Sequence, residues 1–158
     1  MRSPAMTGGT LRHNLIALGL SRAIYPRLQA GYRVVVANVK LRLGEAVDSN
    51  ATYPDVMVVC DPLPGSYQTR PVLLAEVLSD NSTRRDRVDK HAAYTALESL
   101  AAYLILSQQE VLVDVYARAE GWRRVRGEGQ EGEIRIGALG LTLPLREVYV
   151  DVLPDFGY

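Results

Sequence analysis

Cysteine is nearly absent from the sequence, and long apolar runs are missing altogether. Because Cys60 is the single cysteine, no intramolecular disulfide can form, which excludes a disulfide-stabilised secreted domain and favours a reducing cytoplasmic environment. No apolar run approaches the roughly 18 residues that a membrane span needs. The N-terminus also lacks the apolar core and the cleavage site of a signal peptide. We therefore expect a cytoplasmic protein without a membrane partner.

Net charge is lacking as well. The 158 residues carry 18 acidic and 18 basic side chains, and 47% of the residues are hydrophobic. This composition is typical of one globular domain, which we expect to span residues 1–158 with a flexible start over residues 1–10. Because nucleic-acid-binding proteins usually carry a basic excess, contact with nucleic acid would need a local basic face. Two groups of arginines could supply one: Arg84, Arg85 and Arg87, and Arg123, Arg124 and Arg126.

Lysine is scarce, because the 18 basic residues include only Lys40 and Lys90. Lysine is a compact ammonium whose pKa can shift and whose point charge can polarise a water molecule. Where other basic positions are arginine, a lysine could therefore have a specific chemical role. With only two positions, chance is the competing explanation.

The hydrophobic pattern predicts an α/β fold, a mixed β-sheet flanked by helices. Residues 44–53 are polar and are expected to form a loop. Thr10 is placed to cap the first helix, and Pro26 predicts an irregular end to it. The expected elements are a helix over residues 11–28, strands over 31–43, 55–60 and 71–78, a helix over 86–97, strands over 100–106 and 111–117, a hairpin around Trp122 and Val125, and a strand with a short helical tail over 139–152.

Two carboxylates lie in apolar segments, where burial of an acidic side chain costs free energy. Asp55 opens a valine-rich strand directly after Pro54, and Glu76 lies inside the apolar run of the next strand. Buried carboxylates are usually paired or bound to metal, and hard oxygen ligands suit Mg²⁺ or Mn²⁺. If the two strands are neighbours, Asp55 and Glu76 can therefore converge on one cation. Lys90 would lie on the next helix, on the face that also carries Asp86 and Tyr94 at i, i+4 and i+8 spacing.

Structural explanations compete with this metal site. Asp55 could cap a turn after Pro54, and Glu76 could pair with an arginine or point to solvent from an edge strand. Asp86 and Lys90 have the spacing of an ordinary helix ion pair.

Cys60 lies in an apolar run and is expected to be a buried core thiol. A hydrolase that uses Ser79 or Cys60 as its nucleophile ranks last, because neither residue has a nearby histidine in the sequence.

The order and spacing of several short motifs carry a family resemblance. Residues 53–61 read Tyr-Pro-Asp-Val-Met-Val-Val-Cys-Asp and residues 74–79 read Leu-Ala-Glu-Val-Leu-Ser. These motifs, followed by Asp86, Lys90 and Tyr94 and ending near Leu143-Pro144-Leu145, resemble the Uma family, a restriction-endonuclease-like branch of the PD-(D/E)xK nuclease superfamily.

The resemblance implies roles for particular residues. Asp55 and Glu76 would bind Mg²⁺ or Mn²⁺. The superfamily lysine usually stands two residues after the glutamate, where this sequence has Leu78, and the family pattern places it instead on the following helix, at Lys90. Lys90 would orient or deprotonate the attacking water. His13 matches a family histidine near the site, although a lone histidine is more often a surface or core residue.

The resemblance also implies a function, namely a metal-dependent endonuclease that hydrolyses DNA and forms a homodimer. Family members usually begin with an additional strand and turn ahead of the histidine-bearing helix, and this sequence shows no such segment. The alternative interpretation is therefore a catalytically inactive nuclease-like scaffold that acts as an interaction module.

Overall fold

The computed structural model describes residues 10–36, 39–44 and 51–158. The flexible start expected over residues 1–10 lies outside the described residues apart from Thr10, as does most of the loop expected over residues 44–53. The helices are α1 (Leu11–Ile24), α2 (Arg84–Thr95) and α3 (Leu145–Val148). The strands are β1 (Tyr32–Val36), β2 (Lys40–Arg42), β3 (Ala51–Thr52), β4 (Val56–Cys60), β5 (Tyr67–Gln68), β6 (Pro71–Val77), β7 (Ala102–Leu106), β8 (Leu112–Ala117), β9 (Arg124–Glu128), β10 (Glu133–Ile136) and β11 (Leu141–Pro144).

A six-stranded mixed sheet organises the molecule, with the strand order β1-β4-β6-β7-β8-β9. Neighbouring strands are antiparallel except β6 and β7, which are parallel and are joined through α2, because parallel neighbours need a crossover connection. Two smaller sheets accompany it, one of β10 and β11 and one of β3, β2 and β5. The predicted fold class, a mixed sheet flanked by helices, is confirmed.

The two faces of the large sheet are covered differently. One face packs against α1, α3 and the β10–β11 pair. The core between these layers contains the fully buried side chains of Val58 of β4 and Leu104 of β7 from the sheet and of Ile16 from α1. The other face is covered more thinly by α2, in which only Tyr94 is buried among 12 residues. Because a helix is held mainly by its apolar contacts, Tyr94 is the chief anchor of α2 on this face.

Helix α1 starts as predicted and ends sooner. The Thr10 side chain accepts a hydrogen bond from the backbone amide of His13, which satisfies one unpaired donor of the first turn. The α-helix ends at Ile24 and a 3₁₀ turn follows over Tyr25–Arg27. Pro26 accounts for this end, because proline has no amide hydrogen for the helical ladder.

Three expectations need correction. The thiol of Cys60 is exposed rather than buried, because Cys60 ends β4 and the chain turns out of the sheet at Asp61, whose φ is 50°. Part of the expected loop over residues 44–53 forms the short strand β3, which pairs with β2. Helix α2 begins at Arg84, two residues before the predicted start, because the Thr83 side chain caps it.

No helix in the described ranges is both long enough and apolar enough to cross a membrane.

Candidate active site

The pairing of β4 with β6 brings the two carboxylates together. Val56 lies opposite Ala75 in this antiparallel pair, so one further step of the register places Asp55 opposite Glu76. Oδ2 of Asp55 accepts a hydrogen bond of 2.8 Å from the backbone amide of Val77, which fixes the carboxylate against β6. The Asp55 and Glu76 side chains are 20% and 16% exposed, so both remain reachable from solvent.

Glu76 is held by two side chains of α2. Its Oε1 accepts a hydrogen bond of 2.8 Å from the Tyr94 hydroxyl and lies 3.4 Å from Nζ of Lys90. Burial raises the pKa of Glu76 above its ordinary value, and the negative charge of Asp55 raises it further, whereas Lys90 and Tyr94 act in the opposite direction. Burial and the charge of Glu76 also raise the pKa of Tyr94, so the tyrosine stays a hydrogen-bond donor.

His13 reaches the same place from α1. Its Nε2 lies 3.3 Å from Oδ2 of Asp55. The hydrogen bond with Asp55 raises the pKa of His13, and burial partly offsets that rise. The histidine and the amide of Val77 therefore hold the same carboxylate oxygen from two sides.

A small pocket opens beside Glu76. Leu78 lines it from the end of β6, and Lys90 lines it from α2. The side chain two residues after Glu76 and the helix lysine therefore face a common space. Asp86, Arg87, Tyr94 and Ser82 complete the part of its lining nearest to α2.

The sequence-predicted candidates are accordingly brought together, while their catalytic and metal-binding roles stay predictions. They are Asp55, Glu76, Lys90, His13, Asp86 and Tyr94.

Two of the competing explanations fail. Glu76 does not stand on an edge strand, because β6 lies between β4 and β7. Lys90 pairs with Glu76, and the ion pairs found in the described ranges do not include one between Asp86 and Lys90. Lys40, the other lysine, lies on β2.

Sequence reasoning missed an aromatic cluster beside the pocket. His91 contacts the Tyr103 hydroxyl through Nδ1 and packs edge-on against Tyr103 and Tyr116. The Tyr103 and Tyr116 rings are stacked with centroids 4.8 Å apart, and Tyr103 also lines the pocket. Only the register of β7 with β8, which places Tyr103 opposite Tyr116, could have indicated this cluster.

The two carboxylates fit a hard divalent cation of the Mg²⁺ type. The hydrogen bonds and the ion pairs described above engage Oδ2 of Asp55 and Oε1 of Glu76, which leaves the second oxygen of each carboxylate as a potential ligand. Among the described residues, no group of three or more His, Cys, Asp or Glu side chains could enclose a metal. Mg²⁺ does not require such a cage, since it commonly binds one or two carboxylates together with waters and substrate phosphates.

The fold, an α/β fold with a mixed sheet flanked by helices, has a counterpart among solved structures. The structure superposes with a TM-score of 0.69 on the crystal structure of "a putative nuclease belonging to DUF820" from Anabaena variabilis, and the match covers 97% of this chain and 87% of that chain. At 14% sequence identity, this likeness shows a common fold.

The family follows from the sequence match. The model of the Uma2 family, described as "Putative restriction endonuclease", matches residues 4–146, and the chain therefore belongs to this family. Two proteins of Synechocystis are similar over most of their length. The uncharacterized protein slr1290 is 29% identical over 150 residues, which cover 92% of this chain and 78% of that protein. The uncharacterized protein sll1609 is 29% identical over 139 residues, which cover 82% of this chain and 76% of that protein.

Proposed function

We propose that this protein is a metal-dependent endonuclease that hydrolyses phosphodiester bonds in DNA. The observation that carries the proposal is the convergence of Asp55, Glu76 and Lys90, which come from two neighbouring strands and the following helix. Membership of the restriction-endonuclease family supports a nuclease activity, and families of this type generally use divalent metals.

Asp55 and Glu76 would hold the cation, either Mg²⁺ or Mn²⁺. A cation bound there supplies positive charge to the phosphate and lowers the pKa of water. Its charge would also relieve the repulsion between the two carboxylates, which is one reason why the pKa of Glu76 is raised in the structure. The amide of Val77 and the side chains of His13 and Tyr94 would keep the carboxylates in position.

Lys90 would act on the water and on the phosphate. Its ammonium lies 3.4 Å from Glu76 and lines the pocket beside it, so a water or a phosphate oxygen in that pocket would be within its reach. There, Lys90 would orient the attacking water, whose oxygen forms the new bond to phosphorus as the bond to the leaving oxygen breaks. The same charge would offset the negative charge that grows on the phosphate oxygens.

The first experiment is a cleavage assay on plasmid and short duplex DNA with increasing Mg²⁺ or Mn²⁺. We expect metal-dependent cleavage that is lost in Asp55→Asn, Glu76→Gln and Lys90→Ala. Lys40→Ala is the matched control, because it removes the other lysine from β2, outside the pocket, and it should retain activity. Cleavage that survives the three site variants would refute the assignment and indicate a contaminating nuclease.

A second experiment tests the role of the helix lysine. Leu78 stands where the superfamily places its strand lysine, and it lines the same pocket as Lys90. The double variant Lys90→Ala, Leu78→Lys should therefore recover part of the activity that Lys90→Ala loses, since a lysine at position 78 could present its ammonium to the same space. Lys90→Ala, Leu78→Met is the control for side-chain length without charge, and recovery in that variant would contradict the proposed charge role.

The inactive scaffold is the competing function, and the same assay separates the two. If the wild type cleaves no DNA and its melting temperature is unchanged by Mg²⁺ and Mn²⁺, the site holds no metal and the scaffold interpretation gains support. Metal-induced stabilisation that disappears in Glu76→Gln would favour the enzyme.

A homodimer is proposed from the family resemblance. Among the described strands, β1 and β9 are the edges of the large sheet, and edge strands present unpaired backbone groups to a partner. Light scattering after size exclusion would measure the mass, and a monomer across the micromolar range would refute the dimer.

A further inference from the structure

The sheet face that carries Glu76 continues past the pocket to the edge strand β9. Glu76 lies opposite Ile105, Ile105 opposite Asp114, and Asp114 opposite Arg126. Since cross-strand partners point to the same face and strands are spaced by about 4.8 Å, Arg126 lies three strands, or about 14 Å, from Glu76 on the same side of the sheet. Arg124 occupies the next row, opposite Tyr116.

Helix α2 adds a cation to this face from above. Arg87 precedes Lys90 by three residues and lines the same pocket, so the two side chains share one side of the helix. The positive charges of Arg124, Arg126 and Arg87 all act on the hydroxyl of Tyr116, where they oppose the rise in pKa that burial and Asp114 cause. The arginines of β9 and of α2 therefore lie near one half-buried tyrosine, and we call Arg87, Arg124 and Arg126 the arginine surface.

The three arginines differ in how freely they can contact a ligand. Arg126 donates two hydrogen bonds to Asp114, of 2.8 and 3.1 Å, and Glu128 and Glu110 are further acidic neighbours of Arg126. Arg87 and Arg124 are both exposed. Within the described ranges neither of them has an ion-pair partner within 4.0 Å. Arg87 and Arg124 are thus the two cations of the surface whose charge is not already neutralised.

We propose that Arg87 and Arg124 bind backbone phosphates of duplex DNA to one side of the bond that is cut. This inference rests on the proposed nuclease function and specifies how its substrate is held. The distance of about 14 Å between Glu76 and the β9 edge corresponds to a rise of about four base pairs along the duplex axis, at 3.4 Å per base pair. Asp114 and Arg126, joined to each other, would keep the edge strand in register without contributing a free charge.

The location also explains how a chain of zero net charge could bind a polyanion. The acidic side chains Asp55 and Glu76 would take the metal. Arg87 on α2 and Arg124 on β9, which have no ion-pair partner among the described residues, lie on the same side of the sheet. A local cationic surface of this kind gives sequence-independent contacts, because phosphates are the same at every base pair.

The experiment measures binding separately from cleavage. A fluorescent 20-base-pair duplex is titrated with the wild type in EDTA, and again with CaCl₂, at NaCl concentrations from 50 to 200 mM. Each neutralised phosphate contributes about −0.9 to the slope of log K against log salt. Arg87→Ala and Arg124→Ala should each therefore flatten the slope by about 0.9, and the double variant by about 1.8.

A matched control removes an arginine from the other side of the molecule. Arg22→Ala lies on α1, which packs on the opposite face, and it should leave the slope unchanged. Thermal melts would establish that all variants are folded. If the Arg87 and Arg124 variants keep the wild-type slope, or if the wild type binds no duplex in either buffer, the proposed surface is refuted.

The outcome is independent of the cleavage result. A flattened slope in a protein that never cleaves DNA would refute the nuclease function and retain the arginine surface. Metal-dependent cleavage with an unchanged slope would retain the nuclease and refute the surface.

Discussion

The hydroxyl of Tyr94 is the atom whose removal tests the site most cleanly. Tyr94 is 1% exposed, and its hydroxyl donates to Oε1 of Glu76 over 2.8 Å. Its ring packs edge-on against Tyr103, with centroids 6.0 Å apart. Tyr94→Phe keeps this ring and its contacts, so the substitution removes the hydrogen bond to Glu76 and the interaction of the hydroxyl with Thr52 and leaves the packing of α2 in place.

The loss of stability in Tyr94→Phe depends on the contacts that Glu76 retains. A hydrogen bond to a charged group contributes about 1.5–3 kcal/mol to stability. Glu76 retains Lys90 at 3.4 Å, and its side chain is 16% exposed, so water can replace part of the lost bond. We therefore expect a loss at the lower end, about 1.5 kcal/mol, which corresponds to a fall in Tm of about 3–6 °C for a chain of this length.

The pH dependence gives a second, independent readout. Burial raises the pKa of Glu76 above 4.5, so Glu76 favours the folded state while it is protonated, and this contribution is lost as the pH rises through its folded pKa. Because the Tyr94 hydroxyl lowers that pKa, its removal raises the pKa further. The stability lost by Tyr94→Phe should therefore be largest at neutral pH and should shrink as the pH falls through the raised folded pKa of Glu76.

The assay is urea unfolding in EDTA, at pH 7.5 and at pH 4. Tyr53→Phe is the control, because Tyr53 is 57% exposed and loss of a solvated hydroxyl should change stability by less than about 0.5 kcal/mol. Equal stability of Tyr94→Phe and wild type at pH 7.5, or a loss that grows towards pH 4, would refute the reasoning about Glu76.

Two further predictions concern the contacts of α3 with α1 and with the 3₁₀ turn that follows α1. A Cβ added at Gly19 would lie 2.0 Å from the backbone oxygen of Val148. Gly19→Ala should therefore lower the free energy of unfolding in urea by about 2 kcal/mol or more, despite its gain in helix propensity. Gly137→Ala is the control, because a Cβ there would meet no atom within 4 Å, and it should be nearly neutral. Arg27 lowers the pKa of Glu147 through a hydrogen bond, so this pair stabilises the fold above pH 4.5 and the stabilisation is lost as the pH falls through the lowered pKa. Glu147→Gln should therefore cost less than about 1 kcal/mol at pH 7 and nothing at pH 3 in the same unfolding assay, and an equal cost at both pH values would contradict the ion pair.

The fold was predictable where the local hydrophobic pattern of a segment agrees with the burial of that segment in the structure. The apolar residues of β4 predicted a buried strand, and four of its five residues are buried. Cys60 was mispredicted because burial at the end of a strand depends on where the covering layer stops, and the sequence of β4 contains no sign of that. The start of α2 was placed two residues late because its first turn is polar and is defined by the Thr83 cap rather than by an apolar period.

The site was predictable in part for a similar reason. A carboxylate inside an apolar strand is conspicuous in a sequence, and this drew attention to Asp55 and Glu76. The position of Lys90 followed from the family resemblance, and the structure places it beside Glu76. The contacts of His91 with Tyr103 and Tyr116 could not be derived, because they depend on the register between β7 and β8 and on the rotation of α2 above them.

The position of the proposed water-orienting lysine on a helix, and not on the strand, has a physical consequence. A lysine at position 78 would be positioned by the sheet, whereas Lys90 is 46% exposed on its side chain and belongs to a helix in which only Tyr94 is buried. The position of the Lys90 ammonium therefore depends on how firmly α2 is held against the sheet. Tyr94 is that anchor, and its hydroxyl ends on the same oxygen of Glu76 that Lys90 approaches. One tyrosine thus couples the proposed metal ligand to the proposed water-orienting lysine, so loosening α2 would disturb both groups at once.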